Sequence, residues 1–162
     1  MYENLRQTLE ECGRELVNRY RSNLSSNGHI ATGNLANSVS YEIVDDGDVI
    51  SIELNLADYW QYVEDGRKSG KFPPLDKILD WIRVKQILPT EINGKLPTEK
   101  QLAYLIGRKI SEEGTEGTHD LENAQETIKR EFENKIQEAI KADYNEEVLM
   151  YMKDAGLLTN LY

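Results

Sequence analysis

Apolar positions recur every three or four residues at the start of the chain. Leu5, Leu9, Cys12, Leu16, Tyr20 and Leu24 line one face of a 3.6-residue period, which predicts a helix from about Tyr2 to Ser25. Gly13 weakens that helix by about 1 kcal/mol relative to Ala without ending it. Ser25-Ser26-Asn27-Gly28 supplies a stop and a loop, and the Thr32 hydroxyl is a capping group for a short turn over Gly33-Asn34-Leu35-Ala36. The period then falls to two. Val39, Tyr41 and Ile43 alternate with Ser40 and Glu42, and Ile50, Ile52, Leu54 and Leu56 alternate with Ser51, Glu53 and Asn55. Asp45-Asp46-Gly47-Asp48 lies between them and provides the positive φ that a tight hairpin needs. A hairpin with one apolar face must pack on helices, and the first helix is its natural partner.

Helical spacing returns after Ala57. Tyr59, Trp60, Tyr62 and Val63 form an aromatic cluster ending at Gly66. The following stretch, Arg67 to Pro74, reads as an irregular loop because it holds Gly70 and a Pro-Pro pair. Leu75, Ile78, Leu79 and Ile82 mark a helix to about Lys85 with Trp81 on its flank, and Trp60 and Trp81 read as core residues. Ile87 to Pro97 is a second loop. Thr98 then opens a helix with Gln101 in the capping-box position and Leu102, Leu105, Ile106 and Ile110 as its buried face. Gly114 to Asp120 is a third loop. A helix over Leu121–Ile140 buries Ala124, Ile128, Phe132, Ile136 and Ile140, and a separate helical piece covers Glu146–Lys153. The pattern predicts one α+β domain over residues 1–140: an antiparallel hairpin, or small sheet, packed against a long N-terminal helix, with further helices. Residues 141–162 form a helical C-terminal extension, not a separate domain. Its apolar end, with Leu161 and Tyr162, either docks on a neighbouring chain or folds back on its own core.

Length and charge narrow the function. A 162-residue chain buries roughly 70% of its unfolded surface if it folds as one body. No apolar run exceeds five residues, against the ~18 needed to cross a bilayer, and the first residues lack the pattern of a signal peptide. Cys12 is the only cysteine, so multi-cysteine zinc sites and intrachain disulfides are excluded. The expectation is a soluble, acidic protein made inside the cell. Its net charge of −10 excludes a uniformly basic nucleic-acid binder. That charge is segmented: residues 1–66 carry −8, residues 67–109 carry +6, and residues 110–162 carry −8. Opposite segments allow head-to-tail contact between copies, although they also suit neutralisation within one fold.

Catalytic tools are sparse. His29 and His119 are far apart in sequence, and Glu122 is the only local companion of His119, so each histidine reads as a loop residue and no metal site is expected. The Asp45–Asp48 cluster lacks the terminal Glu of a calcium loop, since Ala57 stands there. Gly66-Arg67-Lys68-Ser69-Gly70-Lys71-Phe72 has three residues between its glycines, where a P-loop has four, and Phe follows its Lys, where a P-loop has Ser or Thr. A flexible basic loop accounts for it, and the functional alternative is a protein-docking loop with Phe72 as anchor and Arg67, Lys68 and Lys71 as steering charges. Neither a catalytic constellation nor a cofactor site is marked, and the chain reads as a non-enzyme.

Four segments in order resemble the tail-completion or head–tail connector family of tailed bacteriophages. They are Thr32-Gly33-Asn34-Leu35-Ala36-Asn37-Ser38, Tyr59 to Arg67 with its Val63-Glu64-Asp65-Gly66, Pro73-Pro74 through Trp81-Ile82, and Ala103 to Ile110 continuing to Gly114-Thr115. The likeness covers about residues 1–140; residues 141–162 lie beyond it. The resemblance implies a non-enzymatic virion component, made in the host bacterial cytoplasm. Such proteins form homo-oligomeric rings of six or twelve copies at the neck, between portal or adaptor and tail. DNA passes through the ring without specific binding. On that reading the loop Arg67–Lys71 faces an acidic surface of the neighbouring copy, within residues 112–147. Phe72 and the loop with Gly114, Thr115 and His119 then help to seat the ring on the next component. A rival reading takes the acid excess of residues 112–147 as mimicry of DNA, blocking a host nucleic-acid enzyme. A hydrolase with an unmarked carboxylate site is the third.

Overall fold

A computed structural model describes residues 2–91 and 94–157. The fold is α+β. Its elements in order are α1 (Glu3–Ser26), α2 (Asn34–Ser38), β1 (Ser40–Asp45), β2 (Ile50–Asn55), α3 (Trp60–Glu64), β3 (Gly66–Arg67), α4 (Leu75–Val84), α5 (Glu99–Glu113), β4 (Thr115–Glu116) and α6 (Asp120–Asp154). Among the described residues no helix is long and apolar enough to cross a membrane. Two compact units divide the chain: Met1–Tyr20, Ser40–Asn55 and Asn123–Tyr162 make the first, and Arg21–Val39 with Leu56–Glu122 make the second.

In the first unit α1 and α6 run antiparallel. Arg19 pairs with Glu131 at 3.1 Å, Lys135 with Glu11 at 3.0 Å, and the backbone N–H groups of Asn4 and Leu5 donate to Asp143 at 2.9 and 2.8 Å. Leu9, Cys12, Leu16, Val17 and Tyr20 of α1 are buried, as are Ala124, Ile128, Phe132 and Ala139 of α6. Each set follows the helical period, so the two stripes supply one apolar core. The Cys12 thiol pKa is raised, first by burial and then by the charge of Glu11, with Lys135 opposing.

The hairpin pairs Tyr41 with Leu54, Ile43 with Ile52 and Asp45 with Ile50. Directly opposed residues share a face, so Tyr41, Ile43, Ile52 and Leu54 form its half-buried side. It packs on α1 as expected, and Gly13 is the reason it can. A Cβ at Gly13 would collide with the Tyr41 ring, whose hydroxyl donates to the Glu10 carbonyl at 3.0 Å. The glycine's helix penalty thus coexists with a close approach of sheet to helix. In the turn the Asp46 carboxylate accepts from the N–H groups of Asp48 and Val49, and Gly47 takes φ 93°.

The expected break after Ile140 is absent: α6 is continuous for 35 residues. No Gly or Pro lies between Ile140 and Glu146. Asp143, a residue that would favour a turn, is instead occupied by the first turn of α1. Ile140 is exposed and Ala139 takes the buried position.

In the second unit Arg21 donates to the carbonyls of Ala36 and Val39 at 2.9 and 2.8 Å, which satisfies the end of α2. The Thr32 hydroxyl accepts from the Asn34 N–H at 3.4 Å, while Gly33 itself holds the cap position in a left-handed conformation. Helices α4 and α5 share a core of Ile78, Ile82 and Ala103, flanked by Leu75, Leu79, Leu102 and Ile106. The predicted capping box forms, with Thr98 and Gln101 satisfying each other's backbone N–H. Two expectations need correction. Leu105 and Trp81 are exposed; on α5 the buried positions are the small residues Ala103 and Gly107, with Leu102 and Ile106 partly buried beside them. Trp60 is half-buried.

Candidate protein-interface site

The loops expected to make protein contacts are separate in sequence and joined in space. The stretch from Arg67 is not wholly irregular: Gly66-Arg67 forms β3, which pairs antiparallel with Thr115-Glu116 of β4. Backbone bonds continue the pairing on one side. Thr118 N–H donates to Val63 at 2.9 Å and His119 N–H to Glu64 at 3.2 Å. Glycines permit the approach, since a Cβ at Gly66 would strike the backbone of Thr115, and one at Gly114 the carbonyl of Arg67. Both also hold positive φ, 74° and 81°, which side chains rarely adopt.

The basic turn beyond this ladder is ordered by its own bonds. The Arg67 guanidinium donates to the Lys71 carbonyl at 2.5 Å, and Gly70 N–H donates to Ser111 of α5 at 2.7 Å. Arg67 is therefore engaged and half-buried, whereas Lys68 and Lys71 are exposed and have no ion-pair partner among the described residues. Phe72 lies against α5 where Gly107 leaves room: a Cβ there would come within 2.5 Å of its ring. Its outer side meets Tyr104 at a centroid distance of 5.7 Å, and 37% of it remains exposed. A half-covered aromatic beside two free lysines has the composition of an interface anchor.

Beneath the ladder lies a carboxylate that the hydrophobic pattern did not single out. Glu64 is buried and accepts from the N–H groups of Leu121 and Glu122 at 2.9 and 2.8 Å, thereby capping α6 from a distant segment. Asp120, the first residue of α6, is fully buried and turned elsewhere. Its carboxylate takes Asn27 Nδ2 at 2.6 Å and His29 Nδ1 at 2.5 Å, and its carbonyl takes Asn23 Nδ2 at 2.9 Å. This ties the loop after α1 to the start of α6. His119, at φ 53°, places Nδ1 3.1 Å from Glu122 on the surface beside the ladder. The signal for Glu64 was present in Val63-Glu64-Asp65-Gly66, where a charged residue precedes a glycine in an aromatic segment; for Asp120 no pattern pointed to His29.

Arg67, Gly114 and Thr115 thus meet at the β3–β4 ladder of the second unit, His119 is bonded beside it to Glu64, and Phe72 follows the Lys68–Lys71 turn onto α5. Leu161 and Tyr162 lie outside the described residues. Among the described residues no group of three or more His, Cys, Asp or Glu is arranged to hold a metal ion. Comparison with protein-family models, curated proteins and solved structures finds no match to this chain.

Proposed function

We propose that this chain is a structural component of a tailed-bacteriophage neck. It forms a closed ring of six or twelve copies between portal or adaptor and tail, and DNA passes through without specific binding. The observation that carries this reading is the meeting of two motif segments. Val63-Glu64-Asp65-Gly66-Arg67 and Gly114-Thr115 belong to two of the four segments that resemble the family, and Gly66-Arg67 pairs with Thr115-Glu116 as β3 and β4. Their glycines and Glu64 are the residues on which that pairing and the start of α6 depend. The surface they carry is polar, cationic and anchored by Phe72, while the chain ends in acidic segments that a neighbouring copy presents in return.

A ring requires contacts between two different patches, repeated around an axis until they close. Sedimentation equilibrium of the purified chain over a rising concentration series tests this. The expected outcome is one discrete species at six or twelve times the 18.6 kDa chain mass. A monomer at every concentration, with or without portal and tail proteins, contradicts the proposal. So does a stoichiometric complex with a host nucleic-acid enzyme in place of self-assembly.

A further inference from the structure

The last turns of α6 run past the start of α1, with Glu147, Val148 and Met152 half-buried and several large side chains exposed among the described residues. Helix α1 starts at Glu3 and its first turn meets α6 at Asp143, with a final polar contact from Asn4 to Glu146 at 3.5 Å. The helix continues to Asp154, which at 1.5 Å per residue carries it about 16 Å past Asp143. Tyr144, Met150 and Tyr151 on this length are 66%, 53% and 64% exposed. One face has a regular content. Ile140, Tyr144, Glu147, Tyr151 and Asp154 follow at spacings of four and three, so from Tyr144 onward tyrosines alternate with carboxylates along a single stripe. Lys141 and Lys153 fall on other faces.

The second unit holds the complementary surface. A groove of about 520 Å³ is lined by Lys95, Leu96, Pro97, Lys100, Tyr104 and Leu105. Its apolar members are open to solvent, Leu96 at 68% and Tyr104 at 54%. Tyr104 is backed by Phe72, so the groove adjoins the candidate interface described above. Two lysines beside an apolar floor match a stripe of two carboxylates and two tyrosines.

We infer that the end of α6 of one copy docks in the Lys95–Leu105 groove of the next, with Tyr144 and Tyr151 on the apolar floor and Glu147 and Asp154 facing Lys95 and Lys100. The inference rests on the assembly reading and names the contact that would propagate it. Helix end and groove are different patches, so the contact is heterologous and a chain of such contacts closes into a ring or extends as a filament.

Charge exchange at the exposed Lys95, Lys100 and Asp154 and at the half-buried Glu147 tests it. Glu suits residue 100 in the first turn of α5, and Lys suits residue 154 in the last turn of α6. Two double variants of the full chain, E147K/D154K and K95E/K100E, are followed by sedimentation at low ionic strength. Each alone is expected to need about tenfold or more higher concentration to assemble, since like charges then oppose across the contact. An equimolar mixture of the two is expected to assemble like wild type, because every contact in an alternating arrangement regains opposite charges. The quadruple variant is expected to assemble alone. Wild-type assembly that both double variants reproduce unchanged overturns this contact and leaves the ring reading standing. So do double variants that fail and are rescued neither by mixing nor by the quadruple variant. A wild-type chain that stays monomeric overturns both, and docking of α6 within its own chain is excluded by the mixing experiment if the mixture assembles.

Discussion

Glu64, Asp120 and Asp143 are the three buried acidic side chains among the described residues; Glu64 and Asp143 accept from first-turn N–H groups of α6 and α1, whereas the Asp120 carboxylate takes the Asn27 and His29 side chains. Burying a carboxylate is costly unless donors surround it, and helix N-termini offer unpaired N–H groups together with a positive dipole end. Asp143 shows the balance directly. Burial raises its pKa, while the N–H groups of Leu5 and Asn4 and the Asn4 amide lower it more, so the carboxyl sits below its ordinary value. Its stabilising effect is therefore full above the ordinary carboxylate range and is lost as pH falls through the lowered folded value. Asp143→Asn is expected to cost about 1–3 kcal/mol in denaturant unfolding at pH 7. The gap to wild type is expected to narrow steadily in strong acid; a gap independent of pH would contradict the account. Hydrophobic periodicity could not reveal this residue, because it looks for apolar groups, and it assigned the buried position to Ile140 in place of Ala139.

Elements whose causes are local were legible in the sequence, and those that depend on distant partners were not. The α1 period, the β1–β2 hairpin with its Asp-Gly turn, and the Thr98 capping box each act within a few residues, and each formed where the pattern put it. The β3–β4 ladder joins two-residue strands separated by nearly fifty positions, too short for any alternation to register. Its enabling glycines read only as turn residues. The cap of α6 by Glu64 has the same character, since the donor helix and the acceptor are 57 residues apart. Glu64→Ala is expected to destabilise the protein by about 1–2 kcal/mol, as lost caps do. Hydrogen exchange should then quicken at the Leu121 and Glu122 amides ahead of the rest of α6, while Glu64→Gln keeps part of the protection. Uniform exchange along α6 in the Ala variant would contradict the capping role.

At the scale of the whole molecule, charge is the organising observation. The basic middle segment supplies Lys68, Lys71, Lys95 and Lys100, and the acidic final segment supplies Glu147 and Asp154. The acid excess fits a conduit that lets a phosphate backbone slide, and the charge alternation fits contacts between copies. On this account carboxylates outnumber Lys and Arg along the lumen of the ring. What the sequence left open was the pairing of these charges, because which segments face each other depends on the folded surface. Negative-stain imaging of the purified full-length chain tests the central claim most directly. The account predicts closed rings of uniform diameter with an open centre and six or twelve subunits; fields of single small particles at concentrations where sedimentation is complete would contradict it.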